Sequence, residues 1–150
     1  MYATALDNLG RGCIFQVSGG VSPITCGDPL LDPLALTASP DGMHLYVVDS
    51  LAEDGQGALL VFGTDGTWED ELVTGLQPDL FGGVAATDTS VLFTSIHPGV
   101  WAVSTDASVS QALDMGGLLT LPTGIAVSGS TAWVADGASA ASSDLFLLSF

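Results

Sequence analysis

Lysine is absent from the 150 residues, and Arg11 is the only arginine. Affinity for nucleic-acid phosphates comes largely from Lys and Arg that release condensed counterions, so nucleic-acid binding is excluded as a function class. Anionic membrane surfaces recruit clustered basic residues and are excluded for the same reason. Long apolar runs are also missing. Hydrophobic residues make up 47% of the chain and mean hydropathy is +0.52, but this content is scattered in strand-sized pieces such as residues 58–62. A spanning helix needs roughly 18 consecutive apolar residues, so no membrane insertion is expected. Residues 1–17 carry neither the basic start nor the unbroken apolar stretch of an export signal. A Gly-x-Ser-x-Gly elbow, a Walker-type glycine loop and an Asp-x-Asp-x-Asp-Gly calcium loop are all lacking. The sequence therefore nominates no catalytic residue.

Acid is what the chain has in excess. Seventeen Asp and Glu set a net charge of −16, and fourteen of them are Asp. Solubility, adaptation to salt or loose cation binding would each use such a balance. Geometry explains much of it, because Asp41, Asp54, Asp65 and Asp136 directly precede Gly and Asp-Gly is a turn dipeptide.

A repeat organises the rest. Leu34-Ala35-Leu36-Thr37-Ala38, Gly82-Gly83-Val84-Ala85-Ala86 and Thr123-Gly124-Ile125-Ala126-Val127 align on Leu36, Val84 and Ile125, 48 and 41 residues apart. Each is followed by a short turn and then a strongly apolar strand: Leu45-Tyr46-Val47-Val48-Asp49, Val91-Leu92-Phe93-Thr94-Ser95 and Thr131-Ala132-Trp133-Val134-Ala135-Asp136. Third strands are expected over 58–62, 99–103 and 144–149, with weaker fourth strands over 69–73 and 111–115. The N-terminal segment fits as a repeat entered at its second strand. Naming the strands a to d, the chain reads b-c-d, a-b-c-d, a-b-c-d, a-b-c.

Four short antiparallel strands per 40–50 residues, with no helical period, is the pattern of β-propeller blades. The expected fold is all-β: an arc of about 3.5 four-stranded blades within a six- or seven-bladed ring. One segment spans 1–150, with blades near 1–27, 34–73, 82–115 and 123–150. Strand a should line the axis, where strands crowd, and Ala35, Gly83, Ala85, Gly124 and Ala126 supply the small residues required. Strand b should be covered on both faces and hence apolar throughout. Ring closure requires either missing blades or a second copy in a homodimer, since an open arc exposes apolar faces and strand edges.

Ser39-Pro40-Asp41-Gly42-Met43-His44-Leu45-Tyr46-Val47-Val48-Asp49 resembles the "SPDG…LYV.D" signature of YVTN and lactonase-like propellers. Pro122-Thr123-Gly124-Ile125-Ala126-Val127 with Ala132-Trp133-Val134-Ala135-Asp136 is similar to the "P.GIAV…vyVaD" unit of NHL, virginiamycin B lyase-like and SMP-30/gluconolactonase-like propellers. The resemblance covers nearly the whole chain and speaks to fold more than function, because enzymes, scaffolds and sensors share these blades.

Cys13 and Cys26 flank a turn centred on Gly19-Gly20. A two-residue type I′ turn there sets Val17 opposite Ser22, Phe15 opposite Ile24 and Cys13 opposite Cys26, within disulfide reach. Such a bridge implies an oxidising compartment: extracellular, periplasmic or cell-surface. In propellers the b–c and d–a loops share the face that commonly holds ligand, which here carries Asp54, Asp79 and His97. Asp49 and Asp136 recur at the end of strand b. Lactonase-like propellers hold a divalent cation such as Ca²⁺ with acidic side chains near the axis, which makes these two the candidate metal ligands. The same position equally suits a carboxylate that caps the following loop. His44 and His97 fall on opposite faces and cannot work as a pair. Two readings follow. The first is a non-catalytic scaffold without cofactor, binding a protein or small molecule. The alternative is part of a lactonase- or lyase-like enzyme with an axial cation.

Overall fold

Apolar runs of four to seven residues separated by Gly, Asp and Ser turns favour antiparallel meanders, and the chain folds accordingly. A computed structural model describes residues 1–75, 82–95, 99–108, 110–114, 117–139 and 142–150. Among them fourteen strands form four antiparallel sheets. The first joins β1 (Tyr2–Leu6), β2 (Gly12–Val17) and β3 (Val21–Cys26). The second joins β4 (Pro33–Ala38), β5 (His44–Asp49), β6 (Ala58–Gly63) and β7 (Trp68–Thr74). The third joins β8 (Val84–Ala86), β9 (Ser90–Thr94), β10 (Gly99–Ser104) and β11 (Ser110–Asp114). The fourth joins β12 (Pro122–Ser128), β13 (Thr131–Ser139) and β14 (Ser142–Ser149). Every strand pairs with its neighbour in sequence, so each sheet is a plain meander. The one helical element, α1 (Ala52–Gly55), is a single turn in the β5–β6 loop, with Glu53 and Asp54 in left-handed conformation. No helix among the described residues is long and apolar enough to cross a membrane.

The core lies between the sheets. Leu45, Val47, Leu60 and Phe62 of the second sheet close on Ile14, Tyr2 and Ile24 of the first. Tyr46, Val48, Leu59 and Val61, on the opposite face of the same two strands, close on Val91, Phe93 and Val103 of the third. Leu92, Val100 and Ala102 then meet Ala132 and Val134 of the fourth. Successive side chains point to opposite faces, so an unbroken apolar strand such as β5 or β9 fills two layers at once.

The fourth sheet departs from that expectation. Ala132, Val134 and Asp136 are buried, whereas Trp133 is half-buried and Ala135 exposed. β13 therefore alternates, because no sheet covers its far face. The tryptophans divide for the same reason. Trp101 packs into the layer between the second and third sheets, but Trp133 lies on the open face and Trp68 is exposed.

The first hairpin differs from the expected register. Val17 pairs with Val21, Gln16 with Ser22 and Phe15 with Pro23, leaving a three-residue loop, Ser18-Gly19-Gly20, rather than a two-residue turn. A bulge between Ile14 and Phe15 then adds one residue to β3, and Cys13 faces Cys26 after all. The disulfide joins them at a Cα separation of 4.1 Å. Shortening the pairing by one residue at the loop and restoring it at the bulge leaves the bridged pair unchanged.

Small residues on the first strand of each sheet meet a real constraint. A Cβ added at Gly83 would lie 2.8 Å from both the Cα of Gly124 and the backbone nitrogen of Ile125. The lead-in to β8 therefore abuts the β12 backbone. Gly124 itself is open, its nearest neighbour being the Ala135 Cβ at 3.9 Å. Gly83→Ala is expected to destabilise the chain by about 2 kcal/mol through overpacking. Gly124→Ala should be neutral or stabilise by about 0.5 kcal/mol by restricting the unfolded chain. Urea unfolding of the two variants measures the difference, and equal losses would contradict this packing.

Candidate functional site

The end of strand b is the most highly organised polar position. Asp49 is fully buried, and its carboxylate accepts four backbone N–H groups. Leu31 donates to Oδ2 at 2.8 Å, Asp32 to both oxygens at 3.0 and 3.1 Å, and Leu51 and Ala52 to Oδ1 at 3.0 and 2.9 Å. One side chain thus ties the β5–β6 loop to the β3–β4 connection. The Ser50 hydroxyl reinforces the link by donating to the Asp32 carboxylate at 2.7 Å. Asp136, 2% exposed, repeats the arrangement with Thr120 and Leu121, whose N–H groups donate at 2.6 and 2.7 Å. Ser95 occupies the corresponding place in the third sheet and is also buried.

This geometry decides between the two roles open to Asp49 and Asp136. Cation ligands need lone pairs turned toward the ion, whereas these oxygens are turned toward amide hydrogens. Clustered N–H dipoles create a positive potential that suits a carboxylate and opposes a cation. Asp49 and Asp136 act as loop caps, and the cation assignment is corrected accordingly. Asp54 lies exposed in the same β5–β6 loop, at φ 55°. Asp79 and His97 lie outside the described residues. The ligand atoms of Asp7, Cys13 and Cys26 come within 4.8 Å of one another. However, the sulfurs are bonded together and the Asp7 carboxylate is held by Arg11 at 2.7 Å.

The grooves among the described residues open on the other side, at the a–b and c–d turns. The largest, about 730 Å³, runs between the third and fourth sheets past Thr87, Asp88, Ser90, Gln111, Ser128 and Phe150. Two smaller ones, of about 350 and 280 Å³, follow the seam between the second and third sheets and share His44, Tyr46 and Thr105. His44 Nδ1 is 2.7 Å from Glu69 Oε2 at that seam, both side chains partly exposed. Burial, and then the charges of Asp41 and Glu69, push the Tyr46 phenol upward. The Ser39 hydroxyl and the Met43 N–H hold Asp41 below the usual carboxylate range. His44 was expected on this side, opposite His97. Glu69 as its partner was missed, because the 25 residues between them are bridged only by sheet pairing.

No family model and no curated protein matches the chain. Solved structures do. A chain in the crystal structure of a nidogen/laminin complex superposes with a TM-score of 0.68 at 15% identity. The match covers 89% of this chain and 50% of that one, so the present chain spans about half the length of its neighbour. The two share a fold. That neighbour is a propeller-containing structure, and the likeness supports propeller-type packing of the four-stranded antiparallel sheets. At this identity it carries nothing about ligands.

Two outcomes follow from the polar groups. Asp49→Ala strips the acceptor from four buried or half-buried amides and is expected to cost about 4 kcal/mol, against about 2–3 kcal/mol for Asp136→Ala, as read by urea unfolding. On the β10–β11 turn, the Ser108 hydroxyl, then the Ser104 hydroxyl and the Ser108 N–H, hold Asp106 down at about 2. What its ionised form contributes is present above the ordinary value of 3.8 and is lost as pH falls through about 2. Ser108→Ala should move the Asp106 midpoint up toward 3.8 in an NMR titration of the side-chain carboxyl.

Proposed function

We propose that the chain is a non-catalytic scaffold of propeller blades, belonging to a secreted or surface-exposed protein that binds another molecule. The single observation carrying this reading is the use of Asp49 and Asp136. These acids recur at equivalent positions, yet their carboxylates are committed to backbone amides rather than turned to a ligand. The Cys13–Cys26 bridge supports the location, because structural disulfides persist in oxidising compartments. The neighbour sits in a complex of nidogen with laminin, which fits a protein that works by binding. Within this reading the four sheets are blades of a ring of the NHL or YVTN-like type, six or seven blades in all.

Calorimetric titration with Ca²⁺ after chelation tests the reading against a lactonase- or lyase-like enzyme. The scaffold predicts no saturable heat and no change in thermal midpoint up to about 1 mM Ca²⁺, beyond the range of regulatory sites. Micromolar binding that disappears in Asp136→Asn would overturn it in favour of an axial cation.

A further inference from the structure

The open face of the fourth sheet is the same face that covers the next sheet elsewhere in the chain. Register makes the comparison position by position. In the second sheet Tyr46 pairs with Val61 and Val48 with Leu59, and all four are buried against the third sheet. In the third sheet the corresponding pairs are Leu92 with Ala102 and Thr94 with Val100. Leu92, Val100 and Ala102 are buried against the fourth sheet. In the fourth sheet the corresponding pairs are Trp133 with Leu147 and Ala135 with Leu145. There nothing covers them, and Leu145 is 70% and Leu147 63% exposed. The first sheet is open on its opposite face, where Ala3 pairs with Phe15 and Val17 with Val21. Ala3 is exposed, Phe15 half-buried and Val21 70% exposed. None of these side chains is ionisable.

We propose that two copies of the chain associate head to tail, the Trp133–Leu147 face of each seated on the Ala3–Phe15 face of the other. The occupant is a second copy because one chain carries both halves of a contact that its own sheets make three times over. Large side chains lie on one open face, and small ones around a single phenylalanine on the other. A head-to-tail contact either closes into a ring or propagates as a filament. Four sheets per copy close at two copies, because propellers hold roughly four to eight blades and a third copy would exceed that range. A stable dimer needs roughly 1,000 Å² or more of buried surface, and closure engages two such contacts at once. The proposal concerns assembly and holds whether the sheets bind or catalyse, so the Ca²⁺ titration and the experiment below fail independently.

Light scattering coupled to size exclusion reads the mass of the chain and of two variants. The wild-type chain should run at about twice its 15.2 kDa and associate more tightly as NaCl rises, because salt screens repulsion between copies at −16 each. Leu147→Glu on one face and Ala3→Glu on the other should each raise the dissociation constant roughly 100-fold or more, since each buries an unpaired charge. Both sites are exposed in the single chain, and circular dichroism with a thermal melt checks that each variant stays folded. Mixing the two variants should restore a weaker dimer, because one contact survives intact. Dissociation by Leu147→Glu alone would mean a tail-to-tail pair and overturn the proposal. So would a wild-type monomer, which would leave the open faces to blades of a longer chain, and so would association that weakens with salt.

Discussion

Face-to-face packing of apolar sheets is the constraint on which everything else here depends. Each inner strand of the second and third sheets serves two layers, one through its even positions and one through its odd ones, so a change in register would empty both. Leu45, Val47, Leu60 and Phe62 are held in place only if Tyr46, Val48, Leu59 and Val61 are equally well covered on the other side. Regular antiparallel pairing satisfies the backbone, and the layers exclude water from it. The turns, caps and bridge are consequences: they hold sheet ends at the spacing the layers demand.

Polar groups are used within that frame to fasten one loop to the next. Asp49 joins the connection entering its sheet to the loop leaving its second strand, and Asp136 does the same in the last sheet. A chain with so few cations neutralises buried carboxylates with backbone amides instead of ion pairs. The sole arginine pairs with Asp7 at the β1–β2 turn, where a third strand-end carboxylate also accepts backbone N–H groups from Leu9 and Arg11. Much of the acidity is therefore local turn chemistry rather than a shaped field. The exposed remainder keeps the chain soluble despite its apolar content.

Most of the fold was legible because its information is local. Strand-length apolar runs, Asp-Gly and Ser-Gly turns, and the spacing of Leu36, Val84 and Ile125 all report on neighbours in sequence, and meander topology keeps spatial neighbours sequential. The cysteine pair was legible for the same reason. Its turn was not, because a three-residue loop plus a bulge gives the same Cys13–Cys26 pairing as a two-residue turn without one. The role of Asp49 and Asp136 stayed open in sequence, since a recurrent acid reads equally as ligand or cap until its donors are seen. Trp133 looked like β5 or β9 residues in composition, but whether a strand has one or two covered faces depends on the number of sheets beyond it.

From sequence alone came the all-β class, the strand order, the bridged cysteines and the exclusion of nucleic acid, because composition and short-range pattern determine these. Only the tertiary structure decided that the recurrent aspartates bind amides, that His44 meets Glu69, and that Gly83 has no room for a methyl group. Each of those depends on segments 16 or more residues apart being brought within a few ångströms. That proximity is set by how whole sheets stack, and no local pattern records it.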